Sequence, residues 1–361
     1  MCFLPFRQKT GSSIAKILFA NTIRALDNKK TDMLETVKRV KRSFQAFLLK
    51  RKIRREARAA FLYDWRQFAE HAGALHLEER AASVAQIVMG YHVLEKGLTM
   101  PRRRLGFGRQ AVLNLMNLIV DFERRFEKDS QVEHAIGVLR AYRELHKDWN
   151  EPMPRLDAFL AEHADVAAAI QPHVTSAEFF AAKDEPFPTF AASRHVVRHY
   201  AGAVSRELLE DAIRIATTAP SACNRQHVRI HVVDSAELRD KLFALQGGTR
   251  GFGADADKVI VVTADLSAIR WGWERHDCYT NGGIFVMNLC YALHYKGIAH
   301  CILHWSVAPE NDRAAHGLVG IPENEVIVSL VSCGMPPEEF DVASSPRRPM
   351  TDILTWHGGD R

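Results

Sequence analysis

The chain has no apolar run long enough to cross a bilayer. Its longest nearly apolar stretch, Ala111 to Val120, is interrupted by Asn114 and Asn117 and falls well short of the roughly 20 residues a spanning helix needs. Cysteine is sparse and scattered: the six Cys, at positions 2, 223, 278, 290, 301 and 333, form no CxxC spacing. That excludes a disulfide framework or zinc ribbon and predicts buried thiols in a reducing compartment. Neither GxGxxG nor GxxxxGK[ST] occurs, so a Rossmann or P-loop nucleotide site has no support. With 14 Pro, 21 Gly, 47% hydrophobic and 25% charged residues, collagen-like, low-complexity and wholly disordered classes are also excluded. The short apolar tip Met1–Phe6 runs into basic residues without an h-region or cleavage site. The expectation is a chain with no secretory signal, placed in the cytoplasm.

What is present is a length of 361 residues, which favours two domains at about 150 residues each, and a lopsided charge. The net charge is +5, yet residues 1–60 hold 16 Lys/Arg against 4 Asp/Glu and the remainder is net acidic. Within this segment Val37, Val40, Phe44, Phe47 and Leu48 recur at three- and four-residue spacing between the basic runs 38–42 and 50–55, describing a basic amphipathic helix. Such a helix can attach to the inner face of an anionic membrane, bind nucleic acid, or be a solvated face that packs on the rest of the protein. No nucleic-acid motif supports the second.

The spacing predicts a basic N-terminal segment at 1–58, a helical domain at 59–182 and a further domain at 190–361. Helices are expected through 75–94, ending with Gly97 as C-cap, then at 110–128, 132–148 and near 155–170. Leu98–Gly108 is expected to be a loop, and Lys183–Pro188 the domain boundary. Beyond it, β-branched runs predict four buried strands at 229–234, 258–264, 300–305 and 325–332, with helices at 205–217, 236–246, 282–296 and 310–319.

The clearest chemical signal is Ala219-Pro220-Ser221-Ala222-Cys223-Asn224-Arg225-Gln226, between a helix and a strand. Amide and hydroxyl groups clustered there can meet the rim of a heterocycle, because Asn and Gln both donate and accept; equally, they make a polar turn. About 25 residues upstream stands Arg194-His195-Val196-Val197-Arg198-His199-Tyr200, and near the end Ser345-Pro346-Arg347-Arg348-Pro349. Asn281-Gly282-Gly283 with Asn288, then Gly297–Cys301 and Ser332–Pro336, lie between them. In this order the set resembles the FMN-dependent nitroreductase family over about residues 190–355. Its pattern is an Arg-x-Ser-x-Arg/Lys-x-Phe/Tyr opening, an Ala-Pro-Ser-x-x-Asn-x-Gln turn, an Asp-x-Gly…Asn helix and a Lys-x-Arg-x-Pro arm.

The resemblance implies an α+β fold, with a mixed, mostly antiparallel sheet flanked by helices, behind an all-helical N-terminal region. It implies Arg194 and Arg347 as the FMN phosphate clamp, a role suited to guanidinium forks, and Arg198 as the cation near the pyrimidine end. Ser221, Asn224 and Gln226 correspond to residues at the ribityl chain or ring edge, and the backbone of His304 and Trp305 to the ring's reactive nitrogen. The chain departs from the pattern in two places. Val196 stands where the family has Ser, and Ser345 stands where the arm has Lys, with Arg348 the nearest substitute. A loop basic residue used at the flavin edge finds Phe252 in direct register, with Arg250 its nearest neighbour of that kind.

The histidine pairs His195/His199 and His227/His231 have i, i+4 spacing but lie in loop or strand without an acidic third ligand, so no metal is expected. Cys223 and Cys301 read as packing residues rather than nucleophiles. The segment Tyr91–Leu98 with Arg102-Arg103-Arg104-Leu105-Gly106-Phe107-Gly108 resembles a part of long nitroreductase-like proteins encoded among cell-surface polysaccharide genes. Its arginines suit either an anionic substrate or a solvated turn. The family resemblance therefore implies an FMN-dependent oxidoreductase working as a homodimer with FMN at the interface. It would take electrons from NADH or NADPH and pass them by a ping-pong mechanism to a small-molecule acceptor. The alternative is a non-catalytic flavin-fold binding protein tethered by its basic N-terminus.

Overall fold

The structure, a computed structural model, describes residues 11–358; the Met1–Phe6 tip and Cys2 lie outside the described residues. The chain falls into two compact units, one of residues up to Asp64 with Trp271–Trp273, the other of Trp65–Arg270 with Glu274 onward.

The first element, α1, runs from Gly11 to His71. It is long because residues 12–71 contain neither Gly nor Pro, the two residues that most disfavour a helix interior, and it ends where Ala72-Gly73 follows. At 61 residues it measures about 90 Å. The basic amphipathic helix expected around 37–55 is there, and residue 58 is no break in it. Its apolar side chains Val37, Val40, Phe44 and Phe47 are 57–62% exposed.

In the second unit four helices, α2 (Arg80–Leu98), α3 (Arg109–Arg125), α4 (Ser130–Leu145) and α5 (Pro154–Glu162), pack around Val84, Ile87, Leu94, Leu115, Ile119 and Leu139. Asp129 caps α4 by accepting from the Gln131 N–H at 2.8 Å, and Arg80 pairs with the same carboxylate. Gly97 is not the C-cap expected of it. The helix continues through Leu98 to a Thr99 cap, and a Cβ at position 97 would come within 2.1 Å of the Phe107 ring, so glycine serves close approach here.

The rest of the chain follows as β1 (His173–Thr175), α6 (Ser176–Phe179), α7 (Phe187–Ser193), α8 (Arg206–Ala216), β2 (Val228–Val233), α9 (Ala236–Gln246), β3 (Lys258–Asp265), α10 (Asp277–Tyr295), β4 (Ala299–His304), α11 (Pro309–Val319), β5 (Glu325–Gly334) and β6 (Glu339–Asp341). The four expected strands form one sheet in the order β2-β3-β5-β4, antiparallel throughout; β1 and β6 make a separate two-stranded ribbon. Successive residues of β3 serve opposite faces, as the pleat requires. Val259 and Val261 join the core that includes Leu242 of α9 and Ala315 of α11. Ile260 and Val262 join the one with Ala212 of α8 and Leu289 of α10. Helices therefore cover both sides of an antiparallel sheet, an α+β layering.

Candidate functional site

The segment from Arg194 to Gly202 leaves α7 extended and is stitched between two strand ends. The Val197 N–H donates to the His300 carbonyl at 2.9 Å and the Ala201 N–H to the Met335 carbonyl at 2.9 Å. Val197 enters the core, and Val196 packs against the same cluster partly buried. The Arg194 guanidinium keeps Nε and Nη1 buried with no hydrogen-bond partner, and Arg198 does the same with Nε. Arg198 is 9% exposed and lies over the Phe252 ring, with its Cζ 5.9 Å from the centroid.

Around Arg194 the imidazoles are neutral. Burial first, then the positive charges of Arg194 and Arg347, push His195 below its ordinary range, so the fields of two residues 153 positions apart in sequence meet at one ring. Burial, with neighbouring positive charge, holds His294 at about 3. His300, fully enclosed, sits at about 4, lowered by burial against a hydrogen bond it donates to the Ile298 carbonyl, which works the other way. Burial likewise pushes the Cys290 thiol to about 12. A cation set among neutral groups, with open donors and no carboxylate, can accept an anion rich in oxygen.

The C-terminal arm reaches the same neighbourhood by way of Glu95. This carboxylate is wholly buried on α2. It accepts from the Ser344 hydroxyl at 2.9 Å, the Ser345 N–H at 3.0 Å and the Ser345 hydroxyl at 3.3 Å, and from His134 Nε2 at 3.2 Å. Burial alone would raise its pKa, but the hydrogen bonds of His134, His92, Ser345 and Ser344 outweigh that and hold it well below the usual carboxylate range. Ser345 thus anchors the arm, at a φ of 41°. Arg347, which is exposed, donates to the Ser345 carbonyl, and Arg348 lies 3.8 Å from Asp352. Both line a cavity of about 640 Å³ shared with Tyr91, His92 and Glu95.

The Ser221–Gln226 turn is elsewhere. Cys223, Asn224 and Gln226 take φ of 52°, 53° and 48°, a cluster of strained non-glycine residues of the kind that marks functional sites. The Ser221 hydroxyl accepts from the Gln226 N–H at 2.9 Å, and Asn281 at the start of α10 accepts from the Ala222 N–H at 3.3 Å. Arg225 is tied to Glu274 and Asp277. Asn224 and Gln226 are exposed. Arg194 acts on Cys290 and His294, toward the other end of α10, about 14 and 20 Å along the helix from Asn281. One chain therefore brings Arg194 and Arg347 to bear on the same ring, His195, but not the turn, while Arg198 lies over Phe252. His304 and Trp305 close β4 on the wall of a cavity of about 990 Å³ that Tyr279 and Asp312 also line. The Trp305 Nε1–H donates to Asp312 at 2.7 Å.

Sequence reasoning missed the part played by the last turn of α2. Besides Glu95, Lys96 donates to the Gly248 carbonyl at 2.5 Å, and the Thr99 carbonyl accepts from His199 Nε2 at 2.7 Å. The only signal was the unassigned segment Tyr91–Leu98. In the following loop Arg102 and Arg103 are held by Asp255 and Asp341, so two of the three arginines dock the helices on the sheet half and are not free for an anionic substrate.

A sequence model described as the Nitroreductase family matches residues 191–248. The "Putative NADH dehydrogenase/NAD(P)H nitroreductase" of Archaeoglobus fulgidus is 31% identical over 155 residues, spanning 41% of this chain and 84% of that protein. The chain belongs to the nitroreductase family. Among solved structures, this nitroreductase-family chain is similar to an FMN-dependent nitroreductase from Clostridium difficile, at 19% identity and a TM-score of 0.39, covering 47% of this chain and 98% of that one. It is also similar to NfrA2 of Bacillus megaterium, at 22% identity and a TM-score of 0.40, covering 47% of this chain and 74% of that one.

Proposed function

We propose that the chain is an FMN-dependent oxidoreductase. It takes two electrons from NADH or NADPH and, after the nicotinamide leaves, passes them to a small-molecule acceptor. The observation that carries this reading is the Arg194 guanidinium, buried with two unpartnered nitrogens where its charge and that of Arg347 converge on His195. A phosphate ester fits that setting: it supplies the acceptors Arg194 lacks and offsets two like charges. Bound there, FMN supplies reversible two-electron chemistry, which is why the site needs no nucleophile or carboxylate pair of its own.

The protein's share is holding and orienting. Arg194 and Arg347 would grip the phosphate, Arg198 would stand at the ring's pyrimidine end, and the backbone of His304 and Trp305 would face the reactive edge. Ser221, Asn224 and Gln226 would come from a second copy of the chain, since α10 separates them from Arg194 within one. A homodimer with two shared sites follows. The exposed apolar stripe of α1, flanked by Lys and Arg, suits contact with an anionic membrane surface. The test is optical: the purified protein is expected to be yellow, to release FMN on heating, and to bleach anaerobically on addition of NADH or NADPH. Colourless protein that cannot be reconstituted with FMN would sink the enzyme and leave a non-catalytic binding protein. Among acceptors, sugar nucleotides are to be screened beside quinones and nitro compounds, because of the resemblance of Tyr91–Gly108 to proteins encoded among polysaccharide genes.

A further inference from the structure

We propose that Glu95, in the helical half of the chain, is the positioning residue that sets Arg347 at the cofactor phosphate, so that α2 governs how tightly FMN is held. The inference deepens the FMN reading and rests on it. Glu95 lies far outside residues 191–248, where the family model matches, and it acts through the C-terminal arm rather than on the cofactor. Glu95, Ser345 and Arg347 line one cavity of about 640 Å³, which puts all three within reach of the same space.

Arg347 is exposed, and an exposed arginine samples many rotamers whose loss on binding weakens affinity. Two links restrict it. Arg347 Nη1 donates to the Ser345 carbonyl at 2.7 Å, which folds the guanidinium back onto the arm. Ser345 is fixed in turn by Glu95, 250 residues away in sequence, which accepts from its N–H at 3.0 Å and its hydroxyl at 3.3 Å. Gln171 accepts from the preceding Ser344 N–H at 3.1 Å. Among the described residues, though, the only side chains hydrogen-bonded to Ser345 are those of Glu95 and Arg347.

The carboxylate holds the arm without neutralising its arginine. Its charged partners are the imidazoles of His134, at 3.2 Å, and His92, at 3.5 Å. No ion pair among the described residues joins it to an arginine, so Arg347 keeps its other donors for an oxyanion. Helix α4 braces Glu95 from behind. His134 belongs to that helix and meets the Tyr91 ring edge-on at 4.9 Å, while the Tyr91 hydroxyl donates to Gln131 at 2.7 Å. The connection therefore runs from α4 through Glu95 and Ser345 to Arg347, whose charge reaches His195 beside Arg194. A clamp ordered before its ligand arrives loses less freedom on binding, and that is what Glu95 supplies.

The test measures the affinity of full-length protein for FMN and for riboflavin, which lacks the phosphate, by flavin fluorescence, with melting temperature as the control for folding. Glu95→Ala is expected to weaken FMN about tenfold, the worth of one hydrogen bond to a charged group, and to leave riboflavin affinity as it is. Glu95→Gln, which keeps an acceptor for the Ser345 N–H, should recover most of the FMN affinity. In an Arg347→Gln background, Glu95→Ala should weaken FMN no further, because the two residues act as one unit. If Glu95→Ala does not fold, Ser344→Ala, which removes one bond between arm and carboxylate, carries the same comparison with a loss of about threefold. Unchanged FMN affinity, a loss shared equally by riboflavin, or a loss of the same size with and without Arg347 overturns the proposal and leaves Glu95 a structural lock. Wild-type protein that binds neither flavin overturns instead the reading on which the proposal rests.

Discussion

Arg194 keeps two buried nitrogens without partners beside imidazoles that are neutral. Such a group serves a ligand at the expense of the empty fold, and its removal separates the two effects. Arg194→Gln is expected to weaken FMN binding at least tenfold, measured by flavin fluorescence, while the melting temperature of the apoprotein holds or rises. The neighbouring histidines set the acid limit. His294 and His300 titrate at about 3 and about 4 when folded, against an ordinary value of 6.5. The unfolded chain therefore binds more protons between those values, and stability is full above pH 6.5 and falls as the pH drops from there toward 4. Glu95 behaves differently: its folded pKa lies below the ordinary 4.5, so its contribution is complete above pH 4.5 and is lost only as the pH falls through that lower value. Melting temperature measured from pH 8 to pH 5 should therefore decline in the wild type and decline less in His300→Gln. Glu95→Ala, which removes the buried acceptor of four close hydrogen bonds, should lose about 2–3 kcal/mol at pH 7 and make the chain beyond Ala343 sensitive to protease.

The elements divide into those written locally and those settled by distant partners. Strand β3 was legible because its β-branched run, Val259 to Thr263, suits a sheet covered on both faces, whereas β2, expected as buried, alternates with Arg229 and His231 and is buried only at Val233; α9 is capped by Ser235 through the Leu238 N–H. The polar turn was legible as a motif, since its positive φ angles need a particular run of small and amide residues. The start of α10 was not. The helix begins at Asp277 rather than near 282, with no side-chain cap at His276, so local chemistry does not announce it. Gly97 misled for a related reason: Lys-Gly at a helix end reads as a cap, whereas its cause is the Phe107 ring. The work of Lys96 and Glu95 was hidden by separation, their partners lying 152 and 250 residues along the chain. Helix α1 carries its own prediction. Its exposed stripe continues from Val37, Val40, Phe44 and Phe47 into Arg51 and Arg54, also exposed, combining apolar and cationic terms for an anionic surface. Full-length protein should float with liposomes containing phosphatidylglycerol and lose that property on deletion of residues 1–58 or in high salt; equal flotation of both forms would refute it.

At the scale of the whole molecule, the polar turn packs near the start of α10 and Arg194 acts on its far end, and the proposed shared site predicts that cofactor binding takes two copies of the chain. Arg194→Gln and Ser221→Ala/Asn224→Ala proteins should each bind FMN poorly. Mixed and allowed to exchange, they should regain about a quarter of the sites, because half the dimers are hybrid and each hybrid has one intact site. No recovery on mixing would place the whole cradle within one subunit. The proposed division would couple cofactor retention to association: each flavin would bridge two chains and bind only their paired form, so occupancy would strengthen pairing by mass action. Dilution should then release colour and separate subunits together, with a midpoint that moves to lower protein concentration as free FMN is added, making flavin supply itself the signal for assembly.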